Sequence, residues 1–261
     1  MTRLVAASVF AGMLGAGVSA SAPARLFPVE APPVPRSGAQ VRADAAPPVG
    51  GAQDPAPSAD VLIVHPNVSP FARDGSFPLV VGLHADGSSP LRLKSAFEHV
   101  AHQVRVEVAL PRGPLASGEG FSWGSLESAE SLVFSAAEST RGRSLVGPGS
   151  DLVLAGFSEG ATLACAIALR HPDRVTGVVA VGPSLGAPPA GIPPGSKRLP
   201  RIAVLCTEGD PGVERCQGTA RLLEGLGHKV DSRLLNAKQA SAGLDRLKEA
   251  LYSVLYGRKM F

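Results

Sequence analysis

The sequence predicts one α/β domain built on a mostly parallel β-sheet with helices on both faces. Short β-branched apolar runs alternate with amphipathic stretches along most of the 261 residues, the rhythm of successive βα units. The runs are apolar throughout rather than apolar at every second position, as expected of strands covered on both sides. The candidate strands are 61–64, 79–83, 104–109, 152–155, 177–181, 202–206 and 230–235, and helical periodicity places helices near 91–103, 126–141, 160–170, 217–226 and 244–256. Two Pro/Gly-rich connections, 111–124 and 183–200, interrupt this order. Ligands in an open parallel sheet bind beyond the carboxyl ends of the strands, so both connections are expected to border a site.

The chain ahead of the domain has a different character. Arg3 precedes an apolar run from Leu4 to Val18, and the small triplet Val18-Ser19-Ala20 follows. This is the layout of a secretory signal peptide ending at Ala20, and the run is shorter than the roughly 20 residues that span a bilayer. No later stretch is long enough to span one either, and no cysteine lies near the cut to carry a lipid anchor. Residues 21–59 are dominated by Pro, Ala, Gly and Ser and hold too few large apolar groups to offset the entropy of ordering, so they read as a disordered linker. Residues 60–261 remain as the folded domain, expected in the periplasm or outside the cell.

A net charge of +3, with 25 Lys and Arg scattered along the chain, gives no electrostatic footprint for nucleic acid. Only one Trp, two Tyr and nine Phe are present, which weighs against a carbohydrate-stacking surface. No His/Asp cluster has the spacing of a metal site, and no cofactor is expected. Cys206 and Cys216 bracket a strand-to-helix loop; an oxidising compartment would let them pair, and two free thiols are the other reading. Cys165 falls in an apolar helix and reads as core packing.

The chemistry centres on Gly156-Phe157-Ser158-Glu159-Gly160, a G-x-S-x-G pattern. The strand DLVLAG runs into it and the helix ATLACAIALRHP runs out of it, the strand-turn-helix setting that gives such a match its meaning. Glycines at 156 and 160 let a sharp turn pass close to neighbouring backbone. Ser158 is then lifted to a helix N-terminus, where developing negative charge is favoured.

With these residues the chain resembles the phospholipase/carboxylesterase branch of the α/β-hydrolases, whose elbow typically reads GFSQGG. Leu83-His84, Pro111-Arg112-Gly113-Pro114 followed by Trp123, and Thr207-Glu208-Gly209-Asp210-Pro211 match in the same order, over roughly residues 77–256. The resemblance implies an α/β-hydrolase fold, Ser158 as nucleophile, Asp210 as the acid and an oxyanion hole formed by the backbone amides of Glu159 and Asp86. Its implied ligand is a small-molecule ester or an acylated compound. The loop His84-Ala85-Asp86-Gly87 departs from the family's His-Gly, and it brings a second carboxylate beside Glu159.

One part is absent. In such proteins the triad runs Ser, acid, His, with the histidine after the last strand. Here Ala237-Lys238-Gln239-Ala240-Ser241-Ala242-Gly243 follows that strand, and no histidine occurs after His228. His228 precedes the strand, which puts it roughly 20 Å from the catalytic edge at about 3.3 Å per residue. His84, at the carboxyl end of its strand, is the candidate substitute base, although a structural role in the oxyanion loop is the plainer reading. Lys238 is a more remote candidate, since an amine serves as a base only when desolvated. His99 and His102 read as helix-surface residues, His171 as a helix end, and His65 lies outside the matching region. Two functions follow: an exported serine hydrolase acting on carboxylic esters with weakened activity, or a catalytically inactive pseudo-hydrolase that binds a ligand or a protein.

Overall fold

A computed structural model describes residues 60–66, 77–141, 146–147, 149–193 and 199–257. The signal peptide and linker expected over residues 1–20 and 21–59 lie outside them. In chain order the elements are β1 (Val61–Val64), β2 (Leu79–Leu83), α1 (Pro90–Val104), β3 (Glu107–Pro111), β4 (Leu115–Ser117), β5 (Gly120–Ser122), α2 (Leu126–Arg141), β6 (Leu152–Phe157), α3 (Glu159–Arg170), β7 (Gly177–Val181), β8 (Arg201–Thr207), α4 (Val213–Gly225), β9 (Val230–Leu235), α5 (Ala237–Ser241) and α6 (Gly243–Tyr256).

Seven strands form one sheet in the order β1-β3-β2-β6-β7-β8-β9. Only the edge strand β1 runs antiparallel, pairing Val61 with Pro111 and Val64 with Val108. Residues of β2, β3, β6 and β7 are all buried, because helices cover both faces. Leu79, Val81 and Leu83 enter the core beneath α2 and α3, while Val80 faces the core beneath α1 and α6. A strand whose alternate residues meet different cores needs apolar side chains at every position, which explains the unbroken runs in the sequence.

From β2 the chain crosses to β3 on one side, and from β6 it crosses to β7 on the other. The topology therefore reverses between β2 and β6, the point outside whose carboxyl ends open parallel sheets bind ligands. The register sets Leu83 against Gly156, so His84 and Ser158 leave neighbouring strands at that edge.

Several boundaries differ from expectation. The strand predicted from Val104 starts at Glu107, because α1 runs on through Val104 and ends only at Arg105, whose φ of 60° is left-handed. The helix predicted from Gln217 starts at Val213, with Gly212 as its cap. The connection 111–124 contains the hairpin β4–β5, and α5 fills part of the segment after β9. Among the described residues no helix is long and apolar enough to cross a membrane.

Phe97 on α1 is fully buried and meets Phe157 edge-on, with ring centroids 6.3 Å apart. It thus supports the residue directly before Ser158. Phe97→Ala is expected to lower stability by about 3–5 kcal/mol, read as a shift in the urea midpoint at unchanged slope.

Candidate active site

The elbow is a tight steric arrangement. A Cβ at Gly156 would collide with the carbonyl of Gly160, and one at Gly160 would stand 2.5 Å from the Leu83 oxygen and 2.6 Å from that of His84. Two glycines therefore press the turn against its own helix and against the end of β2. Ser158 takes φ 52° and ψ −112°, a conformation that L-residues seldom adopt, and holds it with its N–H on the Val181 carbonyl at 2.8 Å. Its carbonyl accepts the amides of Ala161 and Thr162, both at 3.1 Å, which starts α3. Ser158 is exposed, and among the described residues no side chain is hydrogen-bonded to its hydroxyl.

Asp210 lies two strands away, half-buried in the loop after β8 on the same edge of the sheet. Its Oδ1 accepts the Gly212 amide at 2.6 Å, and its carbonyl accepts the Val213 amide at 3.0 Å. The acid is thus fixed by its own turn, ahead of α4. Cys206 and Cys216 form a disulfide with Cα atoms 5.8 Å apart, tying the end of β8 to α4 and enclosing the Asp210 loop. Cys165 is buried in the core, and burial pushes its thiol up to about 12.

The two amides expected to bind an oxyanion, those of Glu159 and Asp86, donate to no backbone carbonyl among the described residues. Asp86 is exposed, and its Oδ1 accepts the Ser117 hydroxyl at 2.8 Å. Glu159 is half-buried; burial is the main cause raising its pKa above the ordinary value, the Asp86 charge adds to it, and the Trp123 backbone N–H opposes both. The hairpin β4–β5 lies against the oxyanion loop: Gly87 donates to the Phe121 carbonyl at 3.1 Å, and Phe121 to that of Ser88 at 2.8 Å.

His84 is fully buried. Its Nε2 accepts the Gly113 amide at 3.0 Å and its Nδ1–H donates to the Ala85 carbonyl at 2.8 Å, which fixes the neutral Nδ1–H tautomer. The ring stacks on Trp123 at 4.7 Å, and the Trp123 indole donates to the His84 carbonyl at 2.9 Å. Burial holds its pKa below the ordinary value, against smaller opposing effects of the Ala85 carbonyl and Asp86. With both nitrogens engaged, His84 has no lone pair left for the serine proton. It ties the oxyanion loop to the 111–124 connection instead, which corrects its candidacy as substitute base.

The other histidines stand away from Ser158. His65 approaches Glu107 at 3.2 Å at the start of β3, and His171 caps the far end of α3 beside Glu130, also at 3.2 Å. His99 accompanies Gln103 on α1, where His102 also lies. His228 is buried ahead of β9, at the opposite edge, and burial lowers its pKa. After β9, Asn236 caps α5: its side chain accepts the Gln239 amide, and the Gln239 side chain accepts that of Asn236. Lys238 is exposed on that helical turn, without the desolvation a lysine base requires. A polar cavity of about 250 Å³, lined by Arg141, Asp151, Asp173, Arg174 and Thr176 among others, contains none of the predicted site residues. Among the described residues no cluster of three His, Cys, Asp or Glu could hold a metal ion.

No protein-family model matches the chain, and no curated protein matches it by sequence. Solved structures do. Esterase PE8 superimposes with a TM-score of 0.55 at 20% identity, over 76% of this chain and 99% of that one. A carboxylesterase from Mesorhizobium loti gives 0.54 at 18%, over 67% and 90%, and a thermostable esterase from Pseudomonas putida ECU1011 gives 0.57 at 15%, over 75% and 78%. The chain has the α/β-hydrolase fold. Within that fold, Ser158 stands at the sharp turn between β6 and α3 and Asp210 in the loop after β8 on the same edge of the sheet, while α5 follows β9.

Two outcomes follow from these contacts. Replacing Cys206 and Cys216 together by serine is expected to cost about 2–4 kcal/mol in urea unfolding, a loss that reduction of the wild type reproduces. Because burial keeps His84 and His228 neutral, the unfolded chain takes up protons that the folded chain refuses. Stability is then complete above about pH 6.5 and falls as the pH drops below it. Thermal unfolding of His84→Gln should show a flatter midpoint-against-pH curve in that window than the wild type does.

Proposed function

We propose that this chain is an exported serine hydrolase-like protein of the carboxylesterase/phospholipase type, acting slowly on small carboxylic esters. The observation that carries the reading is Ser158: an exposed hydroxyl on a strained elbow at a helix N-terminus, beside two amides free of backbone partners. Attack by its Oγ on an ester carbonyl would put the oxyanion against the Glu159 and Asp86 amides. Asp210 would orient whatever group takes the proton. Lacking a histidine there, water must receive it, and base loss of this kind costs several orders of magnitude in rate. The esterase names of the structural neighbours agree with ester chemistry. Export is supported by the signal-like start of the chain and by the Cys206–Cys216 disulfide, a bond that persists in oxidising compartments.

A second reading, a catalytically inactive module that binds an acylated ligand or a protein partner, is favoured by the unpartnered Ser158 hydroxyl and by the engagement of His84. Hydrolysis of short- and medium-chain p-nitrophenyl esters by the domain separates the two. The expected outcome is slow turnover that Ser158→Ala abolishes and that Ala240→His, on the half-buried side of α5, raises about tenfold or more. Turnover equal in wild type and Ser158→Ala would exclude the enzyme reading.

A further inference from the structure

We infer that Glu159 is a positioning residue whose carboxylate, when ionised, opposes the oxyanion that its own backbone amide is placed to bind, so that Ser158 reacts faster when Glu159 is uncharged. The inference rests on the proposed role of Ser158 as a nucleophile. The amide of Glu159 opens α3 at the elbow and has no backbone partner, while its carboxyl folds inward toward the loop after β5, where the Trp123 backbone N–H meets it. Oε2 is closed off from solvent and has no hydrogen-bond partner.

The surroundings do not neutralise this group. From the β2 loop, Asp86 faces it and adds a second negative charge, with its own Oδ1 occupied by Ser117 of β4. From the end of β2 the nearby titratable group is His84, held as the neutral tautomer by Gly113 and Ala85. From the loop after β5 come the amide of Trp123 and its indole, both uncharged. Among the described residues no Lys, Arg or His forms an ion pair with Glu159 or Asp86. A tetrahedral intermediate would add a third negative charge to this neighbourhood, opposed only by amide dipoles and the N-terminus of α3. Burial and the Asp86 charge already disfavour ionisation of Glu159, so the neutral form is the one easier to reach as the pH falls.

The sequence prefigures part of this. The related elbow reads GFSQGG, and a glutamine in place of Glu159 would keep an acceptor for the Trp123 amide without the charge. Glu159→Gln is therefore a one-group test. The probe is a fluorophosphonate: Ser158 Oγ forms a bond to phosphorus, the P–F bond breaks, fluoride leaves, and the hydroxyl proton passes to solvent. Rates of adduct formation are read by intact mass for wild type, Glu159→Gln and Ser158→Ala across pH. The ratio of Glu159→Gln to wild type cancels the intrinsic pH dependence of the serine. It is expected to be roughly 3- to 30-fold near pH 7.5 and to fall toward unity as the pH drops and Glu159 takes up its proton, which burial makes it do sooner than an ordinary carboxylate. Asp86→Asn should move the wild-type titration to lower pH, and it carries the test if Glu159→Gln fails to fold. A ratio that does not change with pH, together with an Asp86→Asn profile identical to wild type, overturns the inference while leaving Ser158 reactive. Absence of an adduct in wild type and both acidic-residue variants, or an equal adduct in Ser158→Ala, overturns the nucleophile reading beneath it.

Discussion

The turn from residue 156 to 160 can exist only because two of its residues lack a Cβ. Gly156 rests on the carbonyl of Gly160, and Gly160 rests on the carbonyls of Leu83 and His84, so β6, α3 and the end of β2 meet at distances that no side chain could occupy. Everything at the carboxyl edge is built outward from that contact. It forces Ser158 into positive φ, turns its hydroxyl to solvent and leaves the first amide of α3 unpaired. The cost of that backbone, of order 1–3 kcal/mol for such a conformation, is offset by the apolar strands on either side and by the hydrogen bond from Ser158 to Val181.

A second contact depends on the first. The backbone of the oxyanion loop is held by His84, a buried imidazole that accepts the Gly113 amide, donates to the Ala85 carbonyl and lies flat on Trp123. Gly113 must itself be glycine, since a Cβ there would strike the Ser122 carbonyl. The 111–124 connection is thereby sewn to the end of β2 at one point by an imidazole and at another by Gly87, Ser88 and Phe121. An imidazole used in this way is a cross-brace, and its depressed pKa is the consequence of burial rather than a sign of proton transfer.

The sheet was legible because its strands are buried on both faces and announce themselves as unbroken β-branched runs; the elbow was legible because the glycine pattern sits between a strand and a helix. The hairpin β4–β5 was not, since LAS and GFS are three residues each with no alternation, and the hairpin they form is held through Phe121 by Ser88 and Gly87 more than twenty residues away. Short α5 has no apolar period either, although Asn236 and Gln239 stand at the spacing of a capping box and could have signalled it. The engagement of His84 joins residues 29 apart, and the burial of Glu159 depends on where the Trp123 loop comes to rest. Neither is written locally. What sequence carries without any packing is composition, such as the absence of histidine after His228.

Asp210 and the segment after β9 are each closed by their own local contacts. In a triad the acid and base satisfy each other, so deleting one would leave the other as a charge without its partner. Asp210 avoids that position: its carboxylate is half-exposed and already accepts the Gly212 amide, which also shapes the start of α4. On the β9 side, Asn236 and Gln239 satisfy one another and form the first turn of α5. Both segments are therefore closed locally, by short-range hydrogen bonds. The disulfide between Cys206 and Cys216 encloses the Asp210 loop and ties the end of β8 to α4. The turn at 156–160 enters neither of these local arrangements: it rests on the close approaches of Gly156 and Gly160 and on the Ser158 to Val181 hydrogen bond.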